Sequence, residues 1–259
     1  MTFRKKIEQR NFVRCIETVP PKGKDIENIL NDLKPLKGRV DATTVVDSPL
    51  GIARMHPLAI AYKAQELGIE AVMHFTCRDR NKIEIEAGLL AASALGIKNI
   101  LALTGDATKN AKPVFELNSF GLIDFVQKLN EKHGTDFFVG AGLNVNADDL
   151  ENELERARKK IEAGARFFIT QPCFDAEKIR EVSLEVPVIA GVLIISDRKT
   201  AEFFAKVPGI KIPENLFELV GNREKVLEYY KKLISGLEKT ANGICLMPIG
   251  NYEIANKLI

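Results

Sequence analysis

Ile100-Leu101-Ala102-Leu103-Thr104-Gly105-Asp106 runs four apolar residues straight into Thr-Gly-Asp. A continuous apolar stretch of this kind reads as a strand buried on both faces, the mark of a parallel sheet covered by helices. The glycine and the carboxylate at its C-terminal end put one charge where the backbone opens toward solvent. In parallel α/β proteins that edge is where ligands bind.

The pattern recurs outward from this stretch in both directions. Apolar runs predict strands at 12–18, 40–46, 71–75, 99–103, 137–141, 167–170, 188–193 and 243–246. Helical periods fall between them at 25–36, 57–67, 82–95, 119–131, 147–163, 176–184, 199–206 and 223–238. Over 147–163, Leu150, Leu154, Ala157 and Ile161 make one apolar stripe, while Glu153, Arg156 and Lys160 fall on a polar side. Asp148 and Asp149 are expected in the first turn, where the helix dipole favours acid, and Gly164 marks the stop. Eight strands alternating with helices predict one α/β domain over residues 1–259, a (β/α)8 TIM barrel. The alternative, a doubly wound open sheet, brings a GxGxxG turn after its first strand. Here that strand ends in Glu17-Thr18-Val19-Pro20-Pro21, which cannot cradle a pyrophosphate in that way.

Composition narrows the partners. The chain is 46% hydrophobic and 28% charged, ordinary for a globular protein with a real core. Lys and Arg total 37 against 35 Asp and Glu, without the basic excess that nucleic acid selects. No apolar run approaches the roughly 20 residues that span a bilayer. Residues 1–10 are polar and charged, with no signal-peptide core. The expectation is a cytoplasmic protein without nucleic-acid or membrane partners. Cys15, Cys77, Cys173 and Cys245 form no CxxC pair and read as buried reduced thiols.

In a barrel, the C-terminal strand ends face the active site. The first strand delivers Glu17, the second Thr44 and Asp47, the third His74 and Thr76, the fourth Thr104 and Asp106. The fifth runs into Gly140-Ala141-Gly142-Leu143-Asn144, where a flat ligand could lie close to backbone. The sixth delivers Thr170 and Gln171. With three histidines and no convergent ligand set, no metal site is expected. His74 and Cys77 stand three apart on a strand and point to opposite faces, against a direct dyad. Each residue also has a plainer reading: Glu17 as a buried ion-pair member, Asp106 as a turn or helix cap, His74 as a core histidine, Arg156 and Lys160 as solvated charges. The set outweighs its members, because polar residues stand at successive strand ends in one register.

These motifs resemble the methylenetetrahydrofolate reductases, which are flavoprotein (β/α)8 barrels. The carrying residues are Glu17-Thr18-Val19-Pro20-Pro21, His74-Phe75-Thr76-Cys77, Leu101-Ala102-Leu103-Thr104-Gly105-Asp106, Ala163-Gly164-Ala165 and Ile169-Thr170-Gln171, in order over essentially the whole chain. The segment from Asp47 to Met55, with residues 74–81, looks most like the reductase halves of bifunctional homocysteine methyltransferase/reductase proteins. The resemblance implies that Glu17 is the general acid that protonates N10 of 5,10-methylenetetrahydrofolate. It implies that hydride then passes from flavin N5 to the methylene carbon. Asp106 would lie near flavin and pterin, and Gln171 would contact the substrate ring. Thr44, His74, Thr104, Gly105, Asp106, Gly140, Ala141, Arg156 and Lys160 would hold the flavin, the last two at its phosphates. The implied cofactor is FAD, with FMN as the alternative. The implied partners are a folate-type C1 carrier, other copies of the chain in a homo-oligomer, and an electron donor.

NADH-using members carry Arg where this chain has Thr104, an aromatic residue where it has Gly142, and Phe in the region of Arg198. The donor therefore stays open among NADH, NADPH, ferredoxin and a partner flavoprotein. A general acid at neutral pH needs a raised carboxyl pKa, and a strand end beside Ile16 and Val19 can supply it by burial. Two further readings stand beside the reductase: a non-catalytic flavin- or pterin-binding subunit of a C1-transfer complex, and an unrelated barrel such as an aldolase. The latter wants a Schiff-base lysine at a strand end, and none of these ends carries one.

Overall fold

A computed structural model describes residues 1–109 and 111–259. In chain order the elements are α1 (Phe3–Glu8), β1 (Val13–Thr18), α2 (Glu27–Leu33), β2 (Ala42–Val45), α3 (Pro57–Glu66), β3 (Glu70–Thr76), α4 (Lys82–Ala94) and β4 (Asn99–Leu103). They continue with α5 (Ser119–His133), β5 (Phe138–Leu143), α6 (Leu150–Glu162), β6 (Phe167–Pro172), α7 (Glu177–Arg180) and β7 (Val188–Leu193). The chain then runs through α8 (Arg198–Phe204), α9 (Glu214–Leu219), α10 (Arg223–Leu237), β8 (Gly243–Met247) and α11 (Tyr252–Leu258). The strands close in sequence order, β1 to β8, and every pairing is parallel. The expected TIM barrel is the fold. No helix among the described residues is long and apolar enough to cross a membrane.

Two layers of apolar packing follow from the alternation of strand side chains. Outward residues such as Ile16, Val45, Met73, Phe75, Ala102 and Ala141 pack under the helices. Inward residues such as Val13, Cys15, Ala42, Val72, Leu101, Phe138, Phe167, Ile189 and Cys245 fill the ring. At the N-terminal end, α1 lies across the opening as a floor. Phe3 and Ile7, one turn apart and each 1% exposed, enter the ring. Phe3 meets Phe167 edge-on at 5.4 Å, and Phe167 stacks on Phe138 at 5.4 Å. Gly140 has no choice of residue here, because a Cβ would stand 2.3 Å from the Phe167 ring. All four cysteines are buried and free.

Several boundaries differ from the periodic reading. The expected helix at 25–36 is α2 followed by a 3-10 turn, Lys34–Leu36, because Pro35 cannot continue the α-helical ladder. The expected helix at 176–184 contracts to α7, where Val182 and Ser183 are weak helix formers. Asp149 is the N-cap of α6, accepting from the Asn152 amide at 3.0 Å, so the two aspartates precede the first turn. Short α1, α9 and α11 carry too few apolar repeats to stand out by period.

Candidate active site

The C-terminal end of the ring opens into a cavity of about 890 Å³. Leu101, Leu103, Leu143 and Ile169 form its apolar inner wall. Glu17 from β1 and Asp106 from the loop after β4 both line it, as do His74, Thr104, Gly105, Gln171, Arg156 and Lys160. Thr44, Gly140 and Ala141 do not. Thr44 lies deeper in the ring, with its hydroxyl 3.4 Å from Cys245 Sγ. Gly140 faces the Phe167 ring on the floor, and Ala141 points out to the helices. The next residues of that strand, Gly142 and Leu143, reach the cavity instead, together with Asn144.

Glu17 faces the cavity and is only half-buried by area, yet it sits deep among protein atoms. Its carboxyl has no hydrogen-bond donor among the described residues. Burial therefore pushes its pKa up to about 7, since nothing compensates the charged form. Burial moves His74 the other way, down to about 4, although Asp47 partly opposes the shift. His74 is thus a neutral imidazole at pH 7, and its buried Nε2 has no partner.

Behind His74 stands a charge network. Asp47 Oδ2 accepts from the Thr76 amide at 3.0 Å, from Thr76 Oγ1 at 2.9 Å, and from the Arg80 guanidinium. Arg80 also meets His56 Nε2 at 3.1 Å and lies 4.5 Å over the Phe75 ring. A buried ion pair is stable only when its remaining polar atoms are matched; here Arg80 Nε is buried without a hydrogen bond and is met only by the Glu84 carboxylate, 2.8 Å away.

Arg78, 2% exposed, ties three loops together. Its guanidinium binds Asp79, the Ser48 carbonyl at 3.3 Å and the Asp106 carbonyl at 3.2 Å. Gly105, at φ +94°, passes so close that a Cβ would stand 2.8 Å from Arg78 Cβ. Asp106 itself is exposed, and its Oδ2 accepts from the Leu50 amide at 2.7 Å. The cap reading of Asp106 is thus present in the structure alongside its place on the cavity wall. Leu50 and Ser48 both hold left-handed backbone, at φ 57° and 43°, of the kind found at strained functional loops.

On the facing side, Lys160 is buried and donates to the Gly142 carbonyl at 2.7 Å. Burial lowers its pKa. It is not the solvated lysine that the polar side of α6 suggests. Arg156 remains exposed beside Glu153, whose Oε1 accepts from the Asn144 amide at 3.0 Å. Arg198 pairs with Glu202 at 2.9 Å, while Lys199, Thr200, Phe203 and Phe204 of the same helix line the cavity. These α8 residues and Arg54 were missed by strand-end reasoning. The first turns of helices that follow barrel strands also face the mouth, which is the signal that finds them.

The family model described as methylenetetrahydrofolate reductase matches residues 2–230. A "probable methylenetetrahydrofolate reductase (NADPH)" of Caenorhabditis elegans is 29% identical over 162 residues, 58% of this chain and 24% of that protein. "Methylenetetrahydrofolate reductase 1" of Schizosaccharomyces pombe is 25% identical over 248 residues, 85% of this chain and 41% of its own length. The chain thus spans less than half of these two relatives. The 5,10-methylenetetrahydrofolate reductase of Salmonella typhimurium is 29% identical over 211 residues, 76% of this chain and 69% of that one. A solved Clostridium thermocellum protein, described as binding two copies of 5-methyl-5,6,7,8-tetrahydrofolic acid, superposes with a TM-score of 0.71 at 19% identity, covering 98% and 95% of the two chains. That likeness shows a shared fold. The match along residues 2–230 establishes more: this chain belongs to the methylenetetrahydrofolate reductase family.

Proposed function

We propose that this chain reduces 5,10-methylenetetrahydrofolate, or a related C1-carrying pterin, to its 5-methyl form with a bound flavin. One observation carries the reading. A carboxyl with no hydrogen-bond donor, raised to about 7, lines the same cavity as Asp106 on the loop after β4. A protonated Glu17 can give its proton to N10 of the carrier, opening the bridged ring to a cationic methylene. The carboxylate of Asp106 favours that cation electrostatically. Gln171, exposed at the cavity wall, offers an amide to the pterin edge.

The residues present fit a flavin. The orphaned Nε2 of His74 wants a polar partner, Gly105 and Gly142 allow close backbone approach, and Leu101, Leu103 and Leu143 give an apolar wall. Arg156 and Lys160 supply positive charge for its phosphates, and Thr104 lies on the same wall. When bound, the flavin would supply the hydride. FAD is the cofactor proposed, with FMN as the alternative. A cytoplasmic location and assembly with further copies of the chain accompany this reading from the family.

Anaerobic spectroscopy tests it. The purified protein should be yellow, and 5-methyltetrahydrofolate should bleach the flavin absorbance by running the reaction backward. NADH, NADPH and reduced ferredoxin, titrated in turn, should identify the donor. A colourless protein that takes up neither FAD nor FMN overturns the proposal. A flavin that the methylated carrier binds beside without bleaching points to the non-catalytic subunit instead.

A further inference from the structure

Among the described residues, four cationic side chains line the cavity: Arg54, Arg156, Lys160 and Lys199. Lys160 donates to the Gly142 carbonyl, Arg156 leans on Glu153 at 3.5 Å, and Lys199 is exposed to water. Arg54 differs from all three. It is half-buried, its guanidinium makes a single hydrogen bond, from Nη1 to the Pro20 carbonyl at 3.2 Å, and its Nε is buried without a partner. No described carboxylate pairs with it. A guanidinium presents five donors in a planar fork. Holding that charge partly out of water without a counter-ion is unfavourable. The fork geometry matches a carboxylate or phosphate.

Position separates the two sources. Arg54 lies on the segment between β2 and α3, hydrogen-bonded to the loop after β1. Arg156 and Lys160 lie on α6, between β5 and β6, nearly across the closed ring. One anionic group cannot serve both sectors. Beside Arg54 on the rim, Leu50 and Ile52 are apolar yet 39% and 36% exposed, a surface suited to an aryl group.

We propose that Arg54 is the receptor for a carboxylate at the far end of the C1 carrier, an acidic tail whose aryl linker lies over Leu50 and Ile52. This rests on the reductase reading above and adds a binding residue to it. Arg54 anchors the tail, away from the reacting atoms.

The test compares 5-methyltetrahydrofolate with its diamide, in which both tail carboxylates are neutral, on the flavin-loaded protein and on its Arg54→Gln and Arg54→Lys variants. The expected result is a roughly tenfold weaker Kd for 5-methyltetrahydrofolate in Arg54→Gln, partial recovery in Arg54→Lys, and unchanged binding of the diamide. Flavin content and kcat should stay at the unsubstituted level, with the change confined to KM. Equal weakening for both ligands overturns the proposal and makes Arg54 a wall residue. Loss of flavin from Arg54→Gln also overturns it, assigning the guanidinium to a flavin phosphate. If the unsubstituted protein binds neither ligand, the reductase reading falls and takes this one with it.

Discussion

At the N-terminal end of the barrel, Phe3, Ile7, Phe138 and Phe167 close the ring with aromatic and aliphatic contacts, and the α1 amide of Phe3 is bound by Glu70 Oε1 at 3.0 Å. At the C-terminal end, Glu17 has no donor, His74 Nε2 and Arg54 Nε lack partners, and Ser48, Leu50 and Ile249 hold left-handed backbone. The same strands build both ends. One end is closed mainly by packing and contributes stability, although Asn99 Oδ1 lacks a partner and Arg10 holds left-handed backbone there. The other leaves groups unsatisfied or strained, at a cost in stability, so that a ligand can complete them.

That contrast breaks most readily at Glu17. Glu17→Gln should lower the rate of folate reduction on the order of 10³-fold, the usual worth of a positioned acid, while flavin stays bound and reducible by its donor. Stopped-flow kinetics of the two half-reactions decide it; near-normal folate turnover sinks the role. Next in size is the floor. Phe3→Ala should cost about 3–4 kcal/mol of unfolding free energy in urea. The folded fraction should still bind flavin, because the two ends are separate layers. A flavin affinity that fell in parallel would erase the distinction.

Titration gives a smaller effect with opposite signs at two groups. Glu17, about 7 when folded against 4.5 as its ordinary value, binds its proton more tightly in the folded chain. Its contribution to stability is whole below 4.5 and is lost as pH rises through 7. Glu17→Gln should therefore raise Tm relative to the parent at pH 8 but not at pH 4.5, by the equivalent of about 2 kcal/mol once solvent screening of the half-buried carboxyl discounts the full shift. His74, about 4 when folded against 6.5, resists protonation. Its contribution is whole above 6.5 and is lost as pH falls toward 4, so His74→Gln should flatten the acid limb of a Tm profile. The smallest change is expected at the loops. Arg78→Met should loosen the mouth by about 1–2 kcal/mol, read as faster hydrogen exchange at the Leu50 amide with little change in global Tm.

Much of this was legible in the sequence because parallel strands announce themselves as apolar runs, and eight of them in alternation leave few folds to choose from. The strand-end carboxylates could be read for the same reason: Glu17 and Asp106 interrupt or end such runs. Ala141 was harder. Its neighbours are small, so the run 140–142 lacks the size contrast that reveals which residues face inward. For Lys160 the plainer reading, a solvated charge, fails because tertiary packing buries it against Phe168, which its place on a polar helix side does not reveal. The unpaired state of Arg54 is a fact about absent neighbours, which sequence does not encode locally. Short α1 carries only Phe3 and Ile7 as anchors, too few for periodicity to separate from a polar tail.

The pairing of β1 with β8 sets Cys15 against Cys245. Contacts so distant along the chain close slowly, since loop entropy must be overcome before they are rewarded. Glu17 lies on β1, and Cys245 beside it is among the groups it influences. A nascent chain still lacking its last strand would already hold Glu17, Asp106 and Gln171, yet water would reach the acid from the open seam. Its proton would then leave at an ordinary carboxylic pH. The raised pKa of Glu17 thus depends on the seam between β1 and β8 being closed.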